Sequence, residues 1–155
     1  MVNAQANGLA QAILRSHNPK LYLLGFEPLM VKKSEFKTLS QGDIIVLGKK
    51  LPELYLYRKG GVVGQALLGE ADGNAVVIIA AKERIDNLGK APSKYLLLES
   101  RIAVIPKASF VVGKMVSLPA NSLQTILLYR KQVLVATASL VQTDQGYALQ
   151  INECF

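Results

Sequence analysis

Short apolar runs separated by glycine, proline or polar turns dominate the hydrophobic pattern of this chain. Residues 54–57 are apolar at both alternating positions, which is typical of a strand that is covered on both faces. The predicted strands of the first half are 21–26, 44–47, 54–59, 62–68 and 75–81, with a helical turn between Ser34 and Leu39. The pattern predicts a mainly β fold of short antiparallel strands with short helices, in which 44–47 and 75–81 are buried.

The second half of the chain repeats the first at a fixed offset of 72 residues. The sequence LYLYRK at 54–59 corresponds to LLYRK at 127–131. Ten identical pairs fall in this one ungapped register, from Leu51 with Leu123 to Ile79 with Ile151. Such a long match in a single phase indicates an internal duplication.

The duplication divides the chain into two small units joined by a polar linker. The predicted organisation is a leader at 1–19 that forms a short helix, a first unit at 20–81, a linker at 82–94 and a second unit at 95–155. A unit of about 70 residues has only a marginal core by itself. We therefore expect the two units to pair with each other and to melt together.

Residues that could carry chemistry are sparse. His17 is the only histidine and lies in the leader, so no acid–base set surrounds it. Cys154 is the only cysteine, which leaves neither an internal disulfide nor a Cys/His metal set. Each Gly-Lys dipeptide lacks the Ser or Thr that follows it in a phosphate-binding loop. We expect a protein that is not an enzyme and that holds no metal and no cofactor.

The charge balance keeps nucleic-acid binding open as an alternative. The formal net charge is +7 and the isoelectric point is about 9.6, and basic small β domains often contact phosphates. The charges occur in pairs at predicted strand ends, including Arg58-Lys59 and Arg130-Lys131. Such pairs also solvate turns and keep sheet edges apart, and no ordered aromatic platform for bases accompanies them. The solvated-turn interpretation is therefore favoured.

The sequence contains no signal for export and no candidate membrane span. Residues 1–17 have no early positive charge and no long apolar core, unlike a secretory signal. The longest purely apolar run, residues 75–81, is far below the roughly 18 residues of a membrane helix. We expect a cytoplasmic protein.

Both units resemble a surface-presentation-of-antigens (SPOA) domain. In the first unit the resemblance is carried by the sequence LSQGDIIVL at 39–47, the apolar strand at 54–57 and Gly64-x-Ala66-x-Leu68. The second unit is similar through Gly113, Leu118, residues 123–131 and the sequence GYALQI at 146–151. It departs from the pattern at Lys114, where the first unit has the aspartate of a Gly-Asp turn. The tandem arrangement is more similar to the injectisome cytoplasmic-ring component than to flagellar motor switch proteins, which have one such domain.

The resemblance implies a fold in which SPOA domains pair by exchanging strands. It also implies a non-enzymatic scaffold or adaptor role in the cytoplasmic sorting platform (C-ring) of a type III secretion system, a virulence apparatus. The expected partners are the N-terminal segment of the secretion-ATPase regulator, other sorting-platform subunits and further SPOA domains. Members of the family carry a larger N-terminal region, so we expect this chain to match their C-terminal part, as a fragment or a short product.

The candidate partner-binding residues are Val62, Val63, Val133 and Leu134. They flank the two predicted hairpin turns, where we expect apolar side chains to remain partly exposed. Core packing is the alternative interpretation, because single apolar residues near turns are usually structural. Two unlike paired units would present an asymmetric surface, which could hold an apolar peptide in one orientation.

Overall fold

The computed structural model describes residues 21–58, 61–85 and 91–155, and this part of the chain is mainly β. The strands are β1 (Leu21–Phe26), β2 (Leu29–Lys32), β3 (Ile44–Gly48), β4 (Leu54–Arg58), β5 (Gly61–Ala71), β6 (Asn74–Ala81), β7 (Tyr95–Arg101), β8 (Ala103–Pro106), β9 (Met115–Ser117), β10 (Ile126–Arg130), β11 (Val133–Thr143) and β12 (Gly146–Cys154). One short helix, α1 (Lys33–Lys37), follows β2, and two 3-10 turns lie at Lys107–Ser109 and Ser122–Gln124. The predicted β fold with short helices is confirmed, whereas the predicted helix in the leader at 1–19 lies outside the described residues.

The strands form two six-stranded antiparallel sheets that mix the two repeats. Sheet 1 has the order β8-β1-β4-β5-β6-β9, and sheet 2 has the order β2-β7-β10-β11-β12-β3. Sheet 1 therefore takes four strands from the first repeat and two from the second, and sheet 2 does the reverse. In this arrangement neither repeat completes a sheet from its own strands alone.

The two repeats correspond strand by strand. β1–β6 match β7–β12 in order, and replacing each strand by its counterpart converts the order of sheet 1 into that of sheet 2. Even the irregularities coincide. An extra residue interrupts the β4–β5 ladder at Val63 and the β10–β11 ladder at Val135, and another pair of bulges falls at Ala80 and Asn152. Both pairs are separated by 72 residues, so the duplication predicted from sequence is retained in the backbone.

The chain changes sheets at a crossing between β1 and β7. Gly25 packs so closely against the backbone of Ser100 that an added Cβ would overlap the Ser100 carbonyl oxygen. Phe26 N–H donates to Ser100 Oγ at 2.8 Å, and Ile102 N–H donates to the Leu24 carbonyl at 2.7 Å. Beyond this crossing, the first repeat continues into sheet 2 as β2 and the second continues into sheet 1 as β8.

A single cluster of buried side chains includes residues from both repeats. Leu56 and Ile79 of the first repeat join Leu98 and Leu128 of the second, and each of these four side chains is 0% exposed. Burying one side chain of this size contributes about 1.5–3 kcal/mol. Each repeat thus depends on the other for its apolar contacts as well as for its strand pairing.

Strand β3 differs from its prediction as a buried strand. Ile44 is 44% exposed and Val46 is 60% exposed. β3 pairs only with β12 and forms one edge of sheet 2, so one side of the strand has no neighbour within the chain. Sequence alone did not indicate this position, because an edge strand of the partner sheet has the same apolar composition as a central one. The other strand predicted as buried, at 75–81, has buried Val76, Val77 and Ile79 but an exposed Ala80.

The repeats diverge where Phe110 packs against sheet 1. The Phe110 and Tyr22 rings lie 4.8 Å apart between centroids, and a Cβ built on Gly64 would lie only 2.7 Å from the Phe110 ring. The corresponding positions of the second repeat hold Leu98 for Tyr22 and Ala136 for Gly64. In the first repeat the large Tyr22 accompanies Gly64, and in the second a smaller leucine accompanies Ala136, as close packing requires.

We expect the two repeats to fold only together. Chains 1–85 and 91–155, expressed separately, should show no cooperative thermal unfolding by circular dichroism, because each lacks two strands of its sheet. Mixing them should restore a single transition. A half-chain that is a folded monomer with the melting temperature of the whole protein would contradict this expectation.

The Gly64→Ala substitution should destabilise the protein by about 1–3 kcal/mol in urea unfolding, because the added Cβ would lie 2.7 Å from both the Phe110 ring and the Ala81 carbonyl oxygen. Tyr22→Leu in the same chain should recover part of that loss by freeing space around Phe110. The double variant should therefore lose less unfolding free energy than the two single variants lose together, by at least about 0.5 kcal/mol. Gly69→Ala is the control, since its Cβ would meet only a Val76 methyl at 3.5 Å. Strict additivity at positions 22 and 64 would show that the two sites do not share space.

Candidate peptide-binding surface

The described residues bring together few groups that could perform chemistry. Across 21–58, 61–85 and 91–155, no three His, Cys, Asp or Glu side chains gather as a metal site would require. Cys154 is a free cysteine at the surface. The part of its side chain that is shielded from water and the nearby Asp43 carboxylate both raise the pKa of its thiol. His17 lies outside the described residues. No helix in the described ranges is long and apolar enough to cross a membrane.

The structure separates the four predicted partner-binding residues. Val62 is 0% exposed, which corrects the expectation that it remains at the surface. Its N–H and C=O groups both bond to Ile85, at 2.9 and 2.8 Å, so part of the predicted linker covers it as an added strand segment. Val133 is 62% exposed, and Val63 and Leu134 are half-buried. Val62 and Val63 belong to sheet 1, whereas Val133 and Leu134 belong to sheet 2.

The arginines of the repeated Tyr-Arg-Lys motif face aromatic rings. The Arg58 guanidinium lies 5.6 Å from the centroid of Tyr22, the ring that stacks on Phe110 of the other repeat. The Arg130 guanidinium lies 5.4 Å from the centroid of Phe36, again in the other repeat. Cation–π contacts of this kind contribute about 0.5–1 kcal/mol at exposed positions. This duplicated motif therefore has a structural use at the contact between the repeats.

A buried polar cluster lies beside the strand crossing. Arg101 is 8% exposed, and it donates to Glu99 Oε2 at 2.6 Å and to the Ser100 carbonyl at 2.9 Å. Its guanidinium also lies 5.0 Å from the centroid of the Tyr57 ring. The Tyr57 hydroxyl donates to the Phe26 carbonyl at 2.6 Å, and burial raises the pKa of the Tyr57 phenol well above its ordinary value. These bonds hold the crossing together.

An apolar row crosses three strands on the outer face of sheet 1. Leu67 on β5 pairs with Ile78 on β6, which pairs with Met115 on β9. Directly paired residues share one face of a sheet, and the adjacent core residues Leu68 and Val77 show that this face is the outer one. Leu67 is 59% exposed, Met115 is 54% exposed and Ile78 is half-buried. We name Leu67, Ile78 and Met115 the outer row.

The outer row exists only because the repeats exchange strands. Leu67 and Ile78 come from the first repeat, whereas Met115 comes from the second. The turn before β9 adds the exposed residues Val111 and Val112. Exposed apolar residues that lie next to one another are a more informative signal of binding than single ones.

The corresponding row of sheet 2 is mostly polar. It consists of Ser139, Gln150 and Ile44, which pair across β11, β12 and β3 in the same register. The Ser139 hydroxyl is already bonded to the Gln124 carbonyl and to Asn152 Oδ1, both at 3.0 Å. The two outer faces therefore differ in chemistry although their strands correspond. Sequence comparison of the two copies indicated that they have diverged, but only the strand order identifies which residues share a face.

Comparisons with known proteins do not place the chain in a family. No family model matches this sequence, and no curated protein matches it.

Replacing Tyr57 by Phe should reduce stability most at neutral pH. The variant loses the bond to the Phe26 carbonyl, which should cost about 1 kcal/mol. Because folding raises the pKa of Tyr57, the stabilisation is complete below about pH 10, the ordinary tyrosine pKa, and is lost as the pH rises above it. By pH 11 the wild type should lose about 1.4 kcal/mol that the variant does not lose.

The measurement is the free energy of urea unfolding of both proteins at pH 8 and pH 11. The advantage of the wild type over Tyr57→Phe should be lost at pH 11, because the loss of about 1.4 kcal/mol exceeds the roughly 1 kcal/mol contributed by the hydrogen bond. A difference that is equal at both pH values would mean that Tyr57 ionises alike in the folded and unfolded chains.

Proposed function

We propose that this protein is a non-enzymatic scaffold or adaptor of the SPOA type. It works in the cytoplasmic sorting platform of a type III secretion system, where it binds the N-terminal segment of the regulator of the secretion ATPase. Other sorting-platform subunits and further SPOA domains are its additional partners, and its location is the cytoplasmic face of the secretion apparatus.

The reciprocal strand exchange is the observation that supports this proposal most. Two SPOA-like repeats were expected to pair by exchanging strands, and sheets 1 and 2 each contain two strands of the other repeat. Hydrophobic periodicity does not predict such an exchange, since separate sheets would satisfy the same pattern. The agreement therefore supports the resemblance through a feature other than the sequence motif on which it was based.

The outer row supplies a surface suited to an apolar peptide segment. A helical segment with apolar residues at spacings of three and four positions could lay them along the outer row, as amphipathic helices do in apolar grooves. The polar row of sheet 2 offers no equivalent surface, so one peptide would bind in one place. Val133 and Leu134 of the sheet 2 hairpin remain a second candidate surface, in which only Val133 is largely exposed, whereas Val63 packs against the core on sheet 1.

The positions of the arginines disfavour the nucleic-acid alternative. Arg58 and Arg130 lie against aromatic rings of the protein itself. The two guanidinium groups and the rings of Tyr22 and Phe36 are engaged with each other and form no open stacking platform for bases. Any phosphate binding by the net positive charge should be weak and strongly dependent on salt.

The test is isothermal titration calorimetry with the N-terminal peptide of the secretion-ATPase regulator from the same genome. Leu67→Asp and Met115→Asp, made singly, should each weaken binding at least tenfold, because a charge enters the apolar contact. Gln150→Asp is the control, since Gln150 is exposed and occupies the position of Ile78 in the polar row of sheet 2. All variants should retain the melting temperature of the wild type within about 2–4 °C, since surface substitutions are usually near neutral.

Other outcomes are equally informative. Binding that survives at positions 67 and 115 but is lost in Val133→Asp would move the site to the hairpin. Absence of binding by the unmutated chain would exclude the adaptor role proposed here. Submicromolar affinity for DNA or RNA at physiological salt, lost when Arg58, Lys59, Arg130 and Lys131 are neutralised, would instead favour the nucleic-acid alternative.

A further inference from the structure

The outer row of sheet 1 is bordered at its β4 end by two glutamates. Leu54 pairs with Ala66, so one further step in the same register places Glu53 opposite Leu67. Leu54 is a core residue, which puts its neighbour Glu53 on the outer face with Leu67. The Glu27 N–H donates to the Glu53 carbonyl at 3.0 Å, so Glu27 lies beside Glu53 at the end of β1. Both glutamates are exposed.

Tyr55 lies at the same corner of the sheet. It is two positions from Glu53 on the same face of β4, and it is half-buried. Burial and the carboxylates of Glu27, Glu53 and Glu83 all raise the pKa of the Tyr55 phenol, so all three carboxylates lie near this ring. This local charge is opposite to the formal net charge of the chain, which is +7. We name Glu27, Glu53, Glu83 and Tyr55 the acidic corner.

The two adjacent glutamates of the acidic corner have no cationic partner in the described part of the chain. Within residues 21–58, 61–85 and 91–155, no hydrogen bond or ion pair reaches the carboxylate of Glu27 or Glu53. Like charges on neighbouring strands repel each other, and a bound cation would remove that repulsion. The acidic side chains of these ranges are not gathered closely enough to hold a metal ion. Separated carboxylates around an aromatic ring suit a basic side chain instead, because the ring face also attracts a cation.

The spacing of the row and the corner matches one face of an α-helix. The outer row crosses three neighbouring strands, and at about 4.8 Å per strand it spans about 10 Å. Glu53 lies one strand further. Helix positions i and i+7 are also separated by about 10 Å, and three or four more residues add about 5–6 Å. A helix that lays apolar residues on the outer row therefore brings a residue just beyond that stripe to the acidic corner.

We propose that the segment bound at the outer row is an amphipathic helix that carries an arginine or lysine three or four positions beyond one end of its apolar stripe. This basic residue binds between Glu27 and Glu53, against the Tyr55 ring. The inference rests on the proposed function, because it specifies the peptide that the outer row holds. Arginine is the better fit, since its planar guanidinium can stack on a ring while it donates to carboxylates. The contact also fixes the direction in which the helix crosses the sheet.

Sheet 2 has no equivalent of this corner. Leu127 and Thr125 stand in the places of Tyr55 and Glu53. Thr125 is buried, and its hydroxyl donates to the Asn121 carbonyl at 2.9 Å. The apolar row and the carboxylates thus occur together on sheet 1, whereas the corresponding positions of sheet 2 carry a mostly polar row and no carboxylate. This is the distribution expected if both features belong to one binding surface.

Three synthetic helical peptides test the charge requirement directly. They share leucines at positions i, i+4 and i+7 and differ only at position i+11, which is arginine, glutamine or glutamate. In calorimetric titration of the full chain, the arginine peptide should bind at least about fivefold more tightly than the glutamine peptide. The glutamate peptide should bind more weakly than either. The preference for arginine should shrink in about 0.5 M salt, which screens exposed charges.

Single substitutions in the protein locate the basic residue. Glu53→Gln should remove most of the preference for arginine over glutamine and leave the affinity for the glutamine peptide unchanged, because the apolar contact is intact. Glu35→Gln is the matched control, since it makes the same change in net charge at an exposed position of α1, beside sheet 2. It should leave the preference unaltered. Melting temperatures check that both variants remain folded.

The inference and the proposed function can fail separately. Equal binding of the three peptides to the wild type, or a preference that Glu53→Gln leaves in place, would overturn the inference. So would absence of binding by all three at up to about 1 mM, whereas titration with the regulator peptide decides the adaptor role by itself. A regulator peptide that binds at the outer row without a basic residue at the stated spacing would refute the inference and leave the adaptor role standing.

Discussion

The close approach of β1 and β7 is the constraint on which the rest of the structure depends. Each chain segment leaves one sheet and enters the other at this point, so the backbones must nearly touch. Gly25 permits the contact because it has no side chain where the Ser100 carbonyl lies. Two backbone donors are satisfied across the crossing, from Phe26 to Ser100 Oγ and from Ile102 to the Leu24 carbonyl. A crossing without those acceptors would leave buried N–H groups unpaired, at about 1–3 kcal/mol each.

The two hydrogen bonds of the crossing correspond to each other under the duplication. Leu24 pairs with Leu56 in sheet 1 and Ser100 pairs with Leu128 in sheet 2, so Ser100 occupies the position of Leu24 and Ile102 that of Phe26. Phe26 N–H and Ile102 N–H therefore donate from equivalent positions, but one acceptor is the Ser100 hydroxyl and the other is the Leu24 main-chain carbonyl. The residue that corresponds to Gly25 is Arg101, which donates to the Ser100 carbonyl. The halves are therefore fitted to each other and not to copies of themselves at this site.

Sequence reasoning recovered the elements of this fold better than their arrangement. The repeat indicated which strands correspond, and short apolar runs bounded by turn residues located β4, β5 and β6. It did not distinguish a strand that returns to its own sheet from one donated to the partner, because both bury the same face. The errors follow from this limit. β3 was expected in a core but lies at the edge of the other sheet, and Val62 was expected at the surface but is covered by Ile85, a residue assigned to the linker. The outer row could not be found at all, since it joins residues of both repeats through strand order alone.

The exchanged strands are also the strands that form all four edges. β8 and β9 bound sheet 1 although they belong to the second repeat, and β2 and β3 bound sheet 2 although they belong to the first. A substitution in one repeat therefore alters the exposed border of the sheet built mainly by the other. Within the outer faces, however, the two copies differ in their central strands: Ser139 and Gln150 stand in the places of Leu67 and Ile78, whereas the edge residues Met115 and Ile44 are both apolar. The inward-facing residues of the same central strands stay apolar, so the outer faces differ in chemistry on a backbone that keeps even its bulges. Duplication with strand exchange thus supplies a protein with distinct surfaces without requiring a second kind of core.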